Sequence, residues 1–184
     1  MRVISGILKG RKIDGYNIKG TRPTMDRVKE SIFAMIQDNI KDSIVLDLFS
    51  GSGNYGIESI SLGSNLVYFN DINKECINVI NKNINNFNIN DKSIILNMDY
   101  KKCLKYIKDN NIMLDLVFLD PPYKEHIIDS ILLYLTNNNI LNNNALVITE
   151  FMNDNLKDKY NKLELIKSRT YGEKKVNIYK YKEN

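Results

Sequence analysis

The chain has 184 residues, 43% of them hydrophobic, a length that suits one domain with a substantial core and leaves little room for a second. Two cysteines without C-x-x-C spacing and a lone histidine exclude a disulfide framework and a Cys/His metal site, so no metal is expected and Cys76 and Cys103 should be reduced, buried and inert. The net charge of +4 is unevenly placed: residues 1–30 carry eight basic side chains against Asp14, Asp26 and Glu30, a local +5, and the other 154 residues sum to −1.

The opening residues 2–4 and 11–13, punctuated by Gly6, Gly10 and Gly15, read as a small β-hairpin. Residues 1–24 then form a basic extension on a core over residues 25–184. Such an extension is either a solvated surface or the electrostatic footprint of a nucleic-acid binder. No signal-peptide pattern opens the chain and no apolar run nears the roughly 18 residues of a membrane span, which predicts a cytoplasmic protein without membrane contact.

A helix is predicted over residues 25–40. From there, apolar strand-like runs at 44–49, 66–70, 93–97, 114–119 and 145–151 alternate with helical patterns at 54–62, 73–87, 100–109 and 125–137. That rhythm predicts an α/β fold with a parallel sheet covered on both faces. Residues 162–170 and 174–182 break it as an antiparallel hairpin around Gly172 on one sheet edge, giving seven strands in all. The asparagine runs at 85–86, 137–139 and 142–144 fall in predicted turns or on polar helix faces and read as codon bias.

The first strand leads into Asp47-Leu48-Phe49-Ser50-Gly51-Ser52-Gly53-Asn54-Tyr55-Gly56, literally G-x-G-x-x-G where a strand should turn into its helix. Glycines there let a cofactor approach the backbone, and Asp71, twenty positions after Gly51 and ending the next strand, is placed to bind ribose hydroxyls. Phe49 and Ile72 fall in the same pocket. NAD and S-adenosylmethionine both satisfy this description, and tight helix packing without a ligand would also use the glycines. Asp47, inside the strand, offers a carboxylate to a cofactor ammonium group, which favours S-adenosylmethionine. After the third strand, Met98, Asp99 and Tyr100 lie where the adenine of such a cofactor would rest. Asp99 either contacts that base or caps the helix starting at Tyr100, and one carboxylate can do both.

The fourth strand runs into Asp120-Pro121-Pro122-Tyr123. Two successive prolines remove two backbone donors and fix two φ angles, so the segment is a stiff acceptor ledge. The Asp120 carboxylate and the Pro121 carbonyl can both accept from one exocyclic amine, and Tyr123 offers a face for a flat base. A nucleobase amine is a poor nucleophile because its lone pair is delocalised, and acceptors on its hydrogens help localise that pair toward a methyl donor. A proline turn with Asp120 as a helix cap is the plainer alternative. A nicotinamide enzyme has no evident use for either Asp47 or this ledge. His126 is expected on a helix surface, and Glu150 and Tyr68 have no motif support and are expected to be structural.

With these residues, the chain resembles over nearly its whole length the RsmD-like family of class I S-adenosylmethionine-dependent methyltransferases, which methylate the N2 amine of a guanine in 16S ribosomal RNA. The more specific matches are Arg2-Val3-Ile4-Ser5-Gly6 with Gly10-Arg11-Lys12, then Thr21-Arg22-Pro23-Thr24 with Asp26-Arg27-Val28-Lys29-Glu30 and Phe33, and Tyr171-Gly172. The resemblance implies a Rossmann-like fold, a cofactor loop of Asp47, Gly51, Gly53 and Gly56, a ribose contact at Asp71, an adenine contact at Asp99 and a target-amine site from Asp120 to Tyr123. It further implies that Arg22 and Thr24 close over the cofactor, that Arg2, Lys9, Arg11, Lys12 and Arg27 meet RNA phosphates, and that the partner is 16S ribosomal RNA or the small subunit, met by a monomer. Tyr123 stands where many members carry Phe, and Asn54-Tyr55 where small or apolar residues are commoner. The alternatives are a DNA adenine-N6 methylase, for which the chain lacks room for a target-recognition insertion, a nicotinamide dehydrogenase, and a non-catalytic RNA-binding factor.

Overall fold

The computed structural model describes residues 1–15, 23–122 and 126–183, with the side chains of residues 23–25 outside that description. Helix α1 (Pro23–Ile36) opens the core with proline at its first position, where a missing N–H costs nothing. It passes into a 3₁₀ turn over Gln37–Asn39, so the helix predicted to residue 40 tightens before it ends. The alternation that follows is β1 (Ile44–Asp47), α2 (Asn54–Ser61), β2 (Leu66–Asn70), α3 (Lys74–Phe87), β3 (Ser93–Leu96), α4 (Tyr100–Asp109), β4 (Leu114–Leu119), α5 (Ile128–Asn137) and β5 (Leu141–Phe151). Then come β6 (Lys159–Tyr160), β7 (Leu163–Tyr171) and β8 (Lys174–Tyr181).

The strands form one sheet in the order β3-β2-β1-β4-β5-β8-β7-β6. β1 to β5 are parallel, and β8, β7 and β6 continue antiparallel. The sheet has eight strands, one more than the seven predicted: the additional β6 is only two residues long, too short to leave a periodic signal. β5 also starts earlier than predicted, because Asn142–Asn144 stay in the strand as a bulge, with Leu141 opposite Leu114 and Leu146 opposite Leu116. The helix expected from residue 125 starts at Ile128, since His126 adopts a left-handed φ of 47° and sits outside it, facing the Asp154 carboxylate.

Two apolar clusters fill the two faces. One gathers Val45, Val67, Phe69, Phe118 and Ile148 beneath α1, α2 and α3. The other gathers Leu46, Val117, Leu119 and Val147 beneath α4 and α5. Adjacent strand residues thus serve opposite faces, as the two-residue period of a strand requires. Strand order reverses between β1 and β4, and a doubly wound sheet opens its ligand crevice outside the carboxyl ends at such a point. Among the described residues, no helix is long and apolar enough to cross a membrane.

Candidate active site

The glycine-rich turn lies in that crevice and is held by its own backbone. The Ser50 N–H donates to the Asn70 carbonyl at 2.9 Å, and the Gly53 N–H to the Ser50 carbonyl at 2.7 Å. Gly51 and Gly53 have φ of 55° and 80°, left-handed values that glycine adopts without strain. Gly56 is required for a different reason: a Cβ there would lie 2.2 Å from the Phe69 ring, so only glycine lets α2 settle on β2.

Asp47 ends β1 beneath this turn, 2% exposed, with Oδ2 accepting from the Gly56 N–H at 3.1 Å. Burial pushes its carboxyl up to about 7, the Gly56 bond opposes the shift and the charge of Asp71 adds to it. A buried carboxylate with one backbone donor is an under-compensated negative charge, which suits a cofactor ammonium group. Asp71 accepts from the Gly51 N–H at Oδ2 (2.9 Å) and from the Asn73 N–H at Oδ1 (2.8 Å), and Asn97 fixes the backbone by donating to the Asp71 and Ile72 carbonyls. Each carboxylate oxygen keeps a second lone pair for ribose hydroxyls. Ile72 is 70% exposed beside it. Across the mouth, the rings of Phe49 and Tyr100 lie 5.8 Å apart, with Met98 half-buried in the same cluster. Asp99 caps α4, its Oδ1 accepting from the Lys101 N–H at 2.8 Å, so the capping alternative is realised. The donor set, the glycine cradle and the buried counter-charge fit S-adenosylmethionine.

Asp120 follows β4 across the switch point. It is half-buried, Pro121 is buried and Pro122 exposed. Tyr123 lies outside the described residues, as do Arg22 and the side chain of Thr24. The Asp120 carboxyl is held well above the ordinary carboxylate range by burial first, then by the charge of Glu150, with Lys174 opposing and Asp47 adding. Glu150, 4% exposed, accepts from the Tyr55 hydroxyl at 2.8 Å and pairs with Lys174. The Tyr55 ring stacks on Phe118, with centroids 5.0 Å apart and planes at 6°. Glu150, expected to be structural, is brought together with Lys174 to the side of Asp120. Their contact depends on β8 lying beside β5, which no local pattern announces.

The basic N-terminal residues form a strap, antiparallel as expected but joined by a single bridge, Arg2 with Lys12, around a 3₁₀ turn at Gly6–Leu8. Its regular hairpin is interrupted because the backbone turns inward to the core. The Ile4 and Ser5 N–H groups donate to the Glu58 carboxylate, and the Leu8 N–H donates to Ser61 Oγ at 2.9 Å. Gly6 sits so close to Ser61 that a Cβ would lie 1.8 Å from its carbonyl oxygen. Asn83 bonds both the Asp14 backbone and the Ser52 carbonyl, tying strap to glycine turn. Lys29 reaches from α1 to Glu58 at 2.9 Å, the Arg2 carbonyl and Asn54 Oδ1, which explains the unusual Asn54. The five basic residues expected to meet RNA, Arg2, Lys9, Arg11, Lys12 and Arg27, are all exposed. Arg2 donates to the Gly10 carbonyl, and Arg11 lies 4.5 Å over Phe87 and donates to the Asn86 carbonyl.

A doubly wound sheet with a glycine turn after β1, acidic side chains at the ends of β1, β2 and β4, and an antiparallel carboxyl-terminal edge defines the class I methyltransferase fold. Its overlap with solved structures is close: a methyltransferase candidate, yhhF, from Escherichia coli superposes with a TM-score of 0.87 at 24% identity, covering 100% of this chain and 99% of that one. A methylase candidate from Haemophilus influenzae superposes at 0.82 with 30% identity, covering 99% and 98%. The Ribosomal RNA small subunit methyltransferase D of Haemophilus influenzae is 33% identical over 180 residues, 97% of this chain and 93% of the relative. The chain belongs to the family described as Conserved hypothetical protein 95, which matches residues 1–180, and the RsmD-like resemblance of its motifs holds.

Proposed function

We propose that the protein methylates ribosomal RNA with S-adenosylmethionine, and that the group modified is the N2 amine of a guanine in 16S RNA. The observation that carries this reading is the placement of Asp120 and Pro121 at the carboxyl end of β4, across the switch point from Asp47 and the glycine turn. The 33% identity to a relative named for small-subunit ribosomal RNA methylation supports the substrate class.

S-adenosylmethionine supplies, when bound, an electrophilic methyl group. Asp47 provides the counter-charge for its ammonium group, Gly51 and Gly53 let it approach the backbone, and Asp71 takes the ribose hydroxyls. Phe49, Ile72, Met98 and Tyr100 offer apolar surface to the adenine, with Asp99 at its edge. Asp120 and the Pro121 carbonyl accept the two amine hydrogens, which concentrates the nitrogen lone pair on the side facing the methyl group. As the nitrogen would bond the methyl carbon and the methyl–sulfur bond would break, leaving S-adenosylhomocysteine, the Asp120 carboxylate would stabilise the charge on nitrogen and take its proton. Tyr123 offers its ring to the base, and Arg22 and Thr24 close the pocket. Arg2, Lys9, Arg11, Lys12 and Arg27, exposed on and beside the strap, meet RNA phosphates. The base must be unstacked to reach the ledge, so an unpaired nucleotide is the cheaper target.

Transfer of labelled methyl to small subunits lacking the modification, followed by nucleoside digestion and mass spectrometry, tests this reading. N2-methylguanosine at one site is expected. N6-methyladenosine would keep the chemistry and overturn the base, and absence of transfer to either RNA or subunits would overturn the function.

A further inference from the structure

Four charged residues stand at the ends of four neighbouring strands: Asp47 on β1, Asp120 after β4, Glu150 on β5 and Lys174 on β8. All four share one face of the sheet. Asp47 is in phase with Val45, Asp120 with Phe118, Glu150 with Ile148 and Lys174 with Val176, and all of these partners belong to the cluster beneath α1 to α3. Leu119 is paired with Thr149, so Asp120 and Glu150 are the next residues outward on adjacent parallel strands. Lys174 reaches Glu150 from the other side, diagonal to the Glu150 and Val176 pair.

Glu150 belongs to neither the glycine turn nor the Asp120-Pro121 ledge, yet it is 4% exposed and costly to bury as an ion. Among the described residues it is met by the Tyr55 hydroxyl and the Lys174 ammonium, and Tyr55 is itself fixed by stacking on Phe118, two residues before Asp120. An apolar side chain in its place would pack at lower cost, so the arrangement serves the neighbour it faces. We infer that Glu150, clamped between Tyr55 and Lys174, is a positioning residue for amine methylation that acts on the target amine through Asp120. The inference rests on the reading of Asp120 as amine acceptor.

Its physical content is a balance of charges around one carboxyl. The titratable groups that face Asp120 among the described residues are Asp47 from β1, Tyr55 from α2, Glu150 from β5 and Lys174 from β8. Tyr55 stays protonated, because burial and the adjacent carboxylates raise its phenol well above the ordinary range. Glu150 therefore opposes ionisation of Asp120, and Lys174 restores it. Asp120 can take the proton released by the amine only when it is ionised, so turnover rises with pH as it loses its own proton.

The test is the pH profile of single-turnover methylation for Glu150→Gln and Lys174→Met, with a carbon-13 NMR titration of the Asp120 carboxyl in the same cofactor-free proteins. Glu150→Gln should move the acid limb down by about one pH unit and Lys174→Met should move it up by about one, with Lys174→Arg returning it to its original place. Opposite movements in two variants of one ion pair are not produced by simple loss of packing. Limbs and carbon-13 titrations that coincide with those of the unaltered protein would overturn the inference. Asp120→Asn is the separate control: if it turns over normally, the amine-acceptor reading falls, and the carbon-13 titration still decides whether Glu150 governs Asp120.

Discussion

Two lysine–glutamate pairs among the described residues are withdrawn from water, and they differ in what surrounds them. Lys29 and Glu58 are 1% and 0% exposed, and the pair is saturated: Glu58 takes two strap N–H groups as well as the lysine, and Lys29 gives to a backbone carbonyl and to Asn54. Lys174 and Glu150 are 23% and 5% exposed and open onto the half-buried carboxyl of Asp120. A saturated pair fixes geometry, because its charges are answered by partners that do not change during a reaction. A pair beside a titrating carboxyl adjusts energy, because its field falls on a group that gains and loses a proton. Burial alone does not distinguish the two.

The largest effect should come from Asp120 itself, whose replacement by alanine is expected to lower the rate of methyl transfer by about a thousand-fold while leaving cofactor affinity within about two-fold. Calorimetric titration alongside the rate assay checks it, and equal loss of both would move Asp120 from the amine to the cofactor. On the structural side of the comparison, Glu58→Ala leaves a buried ammonium and two strap N–H groups unanswered. It should cost about 3–5 kcal/mol in urea unfolding, and more than Lys174→Met, which leaves Glu150 the Tyr55 hydroxyl. Equal costs would erase the distinction between the pairs.

Asp47 sharpens the comparison through pH. Its carboxyl is raised from an ordinary 3.8 to about 7 in the folded protein, so folding favours its neutral form. That contribution is fully present below pH 3.8 and is lost as pH rises through about 7. Asp47→Asn should remove this loss, which melting curves from pH 4 to 8 at fixed ionic strength would show as a flatter profile between pH 4 and 7. The smallest effect is expected at Asp99, where alanine removes the α4 cap at a cost of about 1 kcal/mol. A cofactor affinity lowered beyond what that loss explains would add an adenine contact to the cap.

The layout of the candidate site was legible where it is local. Asp47, the three loop glycines, Asp71 and the Asp120-Pro121-Pro122 ledge are each declared by a strand end and a few neighbouring residues, and the structure gathers them at one switch point. Glu150 with Lys174, and Glu58 with the strap, were not, because each joins residues far apart in sequence whose meeting follows from sheet order and helix placement. The asparagines were half legible. Composition attributes them to codon usage, yet of seven described non-glycine residues with positive φ, five are Asn88, Asn111, Asn139, Asn144 and Asn161. Asparagine is among the side chains that tolerate the left-handed region best, so a biased composition has been used where glycine would otherwise serve.

The strap also sets an order of events during synthesis. Its anchors are Glu58, Ser61 and Asn83, and Arg11 reaches the Asn86 carbonyl. The strap residues emerge from the translating ribosome ahead of these partners and stay undocked until α3 has followed them out. Contacts of such long sequence separation form slowly. The basic face is therefore completed only after the glycine turn exists, and a nascent chain cannot present that face before it has built the pocket beside it.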